Sequence, residues 1–327
     1  MACSGSGRMA EGSASPRPLR VCVAIPHFHQ PTQEEGYGAT RRDGHLQRAL
    51  SLSRCVAGVL ALARGAEDLM LQIAEQALQP LPLGTYPTRQ LHGLELSCHL
   101  FVTGEAWLRP VAASFGSRLR VHALALDDPL QLPMAAREFL LSADVDAADL
   151  VLYLEDDLVI QDRLFVDKLV WFLQRTQHRF ALMPHRYECT GDPRYPRLFV
   201  DGPIDPIALP AHQQPAVEVA SGQFWDGQTI TFDLASNPHS GCFCLSREQR
   251  HVVQQKGMAS SWIIGPLETV ATYTVLEHFP VLKPSWPCRD FLLLEHGHPS
   301  FLHCHQQWPR LALPDPGDGA TSTPQGT

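Results

Sequence analysis

Residues 150–157 read Leu-Val-Leu-Tyr-Leu-Glu-Asp-Asp, an unbroken apolar run that ends in three consecutive carboxylates. Such a run fits a strand buried on both faces, and a sheet of such strands is covered by helices on both sides. The acids then fall at the carboxyl end of the strand, where an open α/β sheet gathers its ligands. Neighbouring carboxylates repel, so Glu155, Asp156 and Asp157 need a counter-charge, and a divalent cation with an anion on its far side is the economical one. Capping of an adjacent turn by Asp157 explains one acid, not three.

The chain around this run alternates in the manner such a sheet requires. Strands are predicted at 20–26, 94–103, 119–126 and 150–154, and helices at 46–63, 133–142 and 163–175, with Pro133 suited to a first helical turn. This predicts an α/β fold with a mostly parallel sheet flanked by helices. Beyond Phe180 the texture becomes mixed and loop-rich. Short strand candidates at 180–183, 198–200, 229–233 and 241–245 lie between Pro-rich loops, followed by helices near 247–256 and 267–277 and a last ordered stretch at 291–294. The polar turn Asn237-Pro-His-Ser-Gly241 leads into the 241–245 strand. The division expected is a disordered leader over 1–18, one half over 19–178, a second half of the same fold over 179–310, and a disordered tail over 311–327.

Composition narrows the function. With 44% apolar residues the chain has material for a real core, and its net charge of −8 argues against a sequence-independent nucleic-acid binder. No stretch approaches the roughly 18–20 apolar residues of a membrane span, and no signal peptide is visible, so a cytoplasmic protein is expected. The nine cysteines are odd in number, scattered and mostly within apolar runs, which fits reduced buried thiols. Cys242-Phe-Cys244 lacks the C-x₂-C spacing of zinc knuckles.

Alternating strands, then Arg137 in Ala-Ala-Arg-Glu-Phe-Leu, then Leu-Val-Leu-Tyr-Leu-Glu-Asp-Asp, resemble the nucleotide-sugar-binding half of GT-A-fold glycosyltransferases. Their signature is an Asp-x-Asp pair, and the Glu-Asp-Asp here is similar to that of the N-acetylglucosaminyltransferase I type. The resemblance implies a nucleotide-diphosphate sugar as donor, Mn²⁺ or Mg²⁺ as cofactor, and a carbohydrate or other hydroxyl acceptor. It implies hexosyl or N-acetylhexosaminyl transfer, with inversion favoured. Asp157 would be the direct metal ligand, with Glu155 and Asp156 facing the ribose or donor sugar and Arg137 contacting the nucleotide. His27 or Phe28, after the first strand, would stack on the base. Glu268, in the first turn of a predicted helix, would be the catalytic base; an acid there also complements a helix dipole. Asp290 and Asp233 are the reserves. Of the four histidines His296, His298, His303 and His305, His298 is the first choice to complete the metal shell.

Two other readings compete. His27-x-His29 after the first strand is similar to the opening metal signature of zinc-dependent amidohydrolase barrels. A non-catalytic nucleotide-sugar-binding protein has the same donor site without turnover.

Overall fold

The strand Leu19–Pro26 (β1) buries Val21, Val23 and Ile25 on one face and Cys22 and Ala24 on the other. A strand apolar on both faces sits in the middle of a covered sheet, and β1 does. The computed structural model describes residues 17–31, 44–65, 67–82, 85–86, 89–91 and 93–304 of the 327-residue chain. The expected leader up to residue 16, the tail and His305 lie outside the described residues, and of His303 only the backbone is described.

After β1 the first half contributes α1 (His45–Leu60), a hairpin of β2 (Glu67–Gln72) and β3 (Ala77–Pro82), two-residue strands β4 (Thr85–Tyr86) and β5 (Arg89–Gln90), and β6 (Leu94–Thr103). It continues with α2 (Arg109–Ser114), β7 (Leu119–Leu124), α3 (Leu132–Leu140), β8 (Leu150–Leu154), β9 (Leu158–Val159) and α4 (Phe165–Arg175). The second half adds β10 (Ala181–Leu182), β11 (His185–Cys189), β12 (Arg197–Phe199), β13 (Ala216–Gln223), β14 (Thr229–Leu234), β15 (Cys242–Ser246) and α5 (Arg247–Lys256). There follow α6 (Pro266–Glu268), a π turn (Thr269–Tyr273), α7 (Thr274–Leu276), β16 (Val281–Pro284), β17 (Leu293–His296) and α8 (Ser300–Cys304).

The central sheet has the order β15-β8-β1-β6-β7. β8, β1, β6 and β7 are parallel to their neighbours, and β15 alone runs antiparallel, with Cys242 opposite Leu154. One apolar layer, with Leu52, Val56 and Val59 of α1 and Leu169 and Phe172 of α4, covers one face. A second, with Met134, Ala136 and Leu140 of α3 and Val253 of α5, covers the other. The chain winds outward from β1 through β6 to β7, then returns to place β8 on the far side of β1. The gap between β1 and β8 is therefore the topological switch point of the sheet.

Two smaller four-stranded sheets, β10-β16-β14-β13 and β12-β11-β17-β9, come mainly from the second half, and β9 of the latter follows the acids at the carboxyl end of β8. Among the described residues no sheet closes into a barrel, which removes the amidohydrolase-barrel reading of His27 and His29. His29 instead faces His45, ring nitrogen to ring nitrogen at 3.2 Å. Cys22, Cys55, Cys98, Cys242 and Cys244 are free and buried, and burial pushes the Cys98 and Cys244 thiols up to about 12. No helix among the described residues is long and apolar enough to cross a membrane.

Candidate functional site

Glu155, Asp156 and Asp157 leave the end of β8 at the switch point, and the three have different surroundings. Asp156 is held most firmly. The buried guanidinium of Arg48, in the first turn of α1, donates to both its oxygens at 2.7 and 2.6 Å. His27, fully buried just past β1, adds a 2.5 Å contact from Nδ1 to Asp156 Oδ2. The Leu108 N–H donates to His27 Nε2 at 3.1 Å, so the ring proton sits on Nδ1 and points at the carboxylate. With both nitrogens committed and no exposed surface, His27 does not present a face to a base; it positions Asp156. This departs from the expected stacking role, because the His27 backbone is also held inside, its N–H donating to Phe101 O at 2.8 Å.

Asp157 is held more loosely. Its Oδ2 lies 3.3 Å from Arg48 and 3.5 Å from His296 Nε2, while Oδ1 is buried without a hydrogen-bond partner. Burial opposes ionisation of Asp157, but the charge and hydrogen bond of His296, with Arg48 and His298, outweigh it and hold the carboxyl well below its usual range. His296 is in turn gripped from behind by Glu188 of β11, with Nδ1 2.7 Å from Oε1. Burial alone lowers the His296 imidazole, yet Asp157 and Glu188 raise it to about 9. Glu188 is fully buried and also accepts the N–H groups of Phe301 and Leu302 at 3.0 and 2.8 Å, tying α8 to the site.

Glu155 is the opposite case. Burial first, and the neighbouring Asp157 second, raise its carboxyl to about 8 against the pull of Arg186. Its Oε1 is buried and unpartnered. Its N–H donates to Gly241 O at 3.0 Å, and a Cβ at Gly241 would stand 2.7 Å from Glu155 Oε2. Gly241 also has φ +60°, so both its conformation and its neighbour require glycine. Behind Glu155, Arg186 donates from Nε and Nη2 to Asp201 Oδ1 at 3.0 and 2.7 Å, and Lys283 reaches the other oxygen at 3.1 Å.

His298 lies two residues past the end of β17 and is buried. Its Nδ1 is 2.9 Å from Ser300 Oγ, whose hydroxyl donates to His298 O, so Nδ1 carries the proton and Nε2 keeps its lone pair. That Nε2 is buried without a partner, and burial with Arg48 nearby lowers the pKa of the ring. Asp157 Oδ1 and His298 Nε2 are thus two orphaned donors on residues whose charges bear on one another. One carboxylate oxygen and one imidazole nitrogen could serve a divalent cation that takes its remaining ligands from water and phosphate oxygens. No group of three or more His, Cys, Asp or Glu arranged to hold a metal occurs among the described residues.

Glu268 ends α6, half-buried, with its carboxylate folded back over Gly265, where a Cβ would collide with it. Its charge reaches Glu155 and contributes to raising it. Arg137 goes elsewhere: it is buried in α3, donates to Ala259 O at 3.1 Å, and leaves Nε unpartnered. It anchors the segment before α6. Of the reserves, Asp290 pairs with Arg197 at 2.6 Å and Asp233 accepts the Glu218 N–H at 2.7 Å. The switch point thus brings together Glu155, Asp156, Asp157, His27 and His298, with Glu268 within electrostatic reach.

Sequence reasoning passed over Arg48, Arg186, Glu188, Asp201 and Lys283. Their only signal is charge at positions otherwise apolar, such as Arg186 and Glu188 alternating along β11. Two cavities lie away from the acids. One of about 490 Å³ opens at the amino ends of β1 and β8, and one of about 700 Å³ lies beside Glu295. Their walls carry ion pairs already closed, Arg17–Asp149, Arg64–Asp167 and Lys168–Asp162, whereas the acid cluster retains several buried atoms with bonding capacity to spare.

No family model matches the chain, and no curated protein does. Among solved structures it is similar to a mannose-1-phosphate geranyltransferase from Thermus thermophilus, at 11% identity and a TM-score of 0.35, over 84% of this chain and 73% of that one.

Proposed function

We propose that this chain is a metal-dependent glycosyltransferase that moves a sugar from a nucleotide-diphosphate donor to a hydroxyl acceptor. The observation that carries the reading is the pair of buried, unpartnered donors, Asp157 Oδ1 and His298 Nε2, at the switch point between β1 and β8. Asp157 and His298 hold Mn²⁺ or Mg²⁺, and the ion, when bound, neutralises charge on the diphosphate leaving group as a Lewis acid. Arg48 and His27 fix Asp156 and through it the turn that aims Asp157. Glu155, next to Gly241, faces the donor sugar. Glu268 accepts the proton of the attacking hydroxyl in an inverting transfer.

Thermal stabilisation by a panel of UDP- and GDP-sugars in the presence of Mn²⁺ tests this. At least one donor is expected to raise the melting temperature of the wild type and not of Asp157→Ala, and the same donor is expected to turn over slowly, if at all, with Glu268→Gln. Equal nucleotide affinity in wild type and Asp157→Ala would remove the metal bridge. Metal-dependent affinity without turnover on any acceptor would leave a binding protein.

A further inference from the structure

The acid cluster has a counter-charge of its own. Arg48 is 5% exposed, bonds both oxygens of Asp156, and lies 3.3 Å from Asp157 Oδ2. With His27 also on Asp156, the buried atoms at the cluster left without a partner include Asp157 Oδ1, Glu155 Oε1, His29 Nδ1 and Nε2 of His298, itself 2% exposed. Asp157 Oδ1 and His298 Nε2 are few for an ion that takes about six ligands. A guanidinium fixed against one of them also repels a dication.

We propose that Arg48 is a built-in cation that suppresses divalent-ion binding by the acids alone, so that the ion is recruited by the diphosphate. Two further phosphate charges outweigh one guanidinium, and phosphate oxygens supply the missing ligands. The proposal deepens the transferase reading and rests on it for the identity of the anion. Arg48 acts here as a positioning residue, since it touches the carboxylates and not the reacting atoms.

The test is Mn²⁺ binding to the full chain, followed by the paramagnetic resonance of the free ion, with melting curves to verify folding. Wild type is expected to bind Mn²⁺ weakly alone and at least tenfold more tightly with UDP or GDP. Arg48→Gln, which keeps a donor for Asp156, is expected to bind Mn²⁺ alone about tenfold more tightly than wild type because the repulsion is gone. Arg48→Lys, which keeps the charge, stays near wild type, and His298→Ala cancels the gain of Arg48→Gln. A purely structural ion pair would cost stability in Arg48→Gln and leave Mn²⁺ affinity unmoved, which overturns the proposal. So does wild-type binding of Mn²⁺ that is equally tight with and without nucleotide when Arg48→Gln binds no more tightly. If Arg48→Gln does not fold, Arg48→Gln/Asp156→Asn takes its place, since removing both partners leaves no uncompensated buried charge. If neither diphosphate strengthens Mn²⁺ binding while Arg48→Gln still gains, the transferase reading falls and the role of Arg48 stands.

Discussion

Glu155 keeps its proton at a pH where an exposed glutamate has lost it. Its carboxyl titrates near 8 in the folded chain against 4.5 ordinarily, because burial and Asp157 both disfavour the anion. The folded state then binds more protons than the unfolded one between those values, so stability falls as pH rises from about 4.5 to about 8. Glu155→Gln removes that decline: its melting temperature is expected to exceed that of wild type at pH 8 and to match it near pH 4.5. His296 works in the same direction. Raised from 6.5 to about 9, it contributes stability that is complete below 6.5 and lost as pH climbs through 9. His296→Gln is therefore expected to be less stable than wild type at pH 6, with the gap closing by about pH 10. A gap that stays constant with pH would show that packing, not charge, is what the ring contributes. At this scale the acids were legible in the sequence because they interrupt an apolar run. Their surroundings Arg48, Arg186 and Glu188 were not, and His27 was read for another role, because α1, β11 and the end of β1 are far apart in sequence and only the folded sheet brings them to β8.

The helix that delivers Arg48 is seated by a glycine. At Gly58 of α1 a Cβ would lie 2.6 Å from the carbonyl oxygen of Ile160, just past β9. Alanine in mid-helix ordinarily gains about 1 kcal/mol over glycine. Here the obstacle is backbone and cannot rotate away, and overpacking of that kind costs typically 1–3 kcal/mol. The steric term wins, and Gly58→Ala is expected to lower the melting temperature; a rise would mean that α1 sits further from the sheet than described.

Elements with strong local signals were readable. β6 and β8 fall where their apolar runs end, and α5 starts at a Ser246–Gln249 capping box and stops at Gly257 with φ +82°. The stretch expected as one helix over 267–277 is instead α6, a π turn and α7 in succession, a change of hydrogen-bond spacing that periodicity does not register. The β2–β3 hairpin was missed because it leaves Leu69, Leu71 and Leu78 exposed, so its alternation marks no core face. β13 was missed for a similar reason, being exposed along most of its length.

In the whole molecule the two halves share one sheet. β15 pairs with β8 along its full length, and the Phe243 and Tyr153 rings stack at 5.4 Å across the join. Residues 17–178 expressed alone lose that neighbour together with α5, and they uncover the part of the second apolar layer that Val253, Val270 and Val275 cover. The fragment is expected to be rapidly digested by protease under conditions that leave the full chain intact; a resistant fragment with a cooperative melt would mean that the first half is a domain by itself.

The β8–β15 pairing also sets a timetable for synthesis. At roughly 5–20 residues per second the ribosome needs several seconds to go from the acid strand to its antiparallel neighbour. Throughout that interval Leu150–Leu154 presents a bare, uncharged strand edge, the kind of surface that recruits foreign strands. The nascent chain thus passes through a window of vulnerability in the segment that later carries the site, and slower translation after β8 should lengthen it.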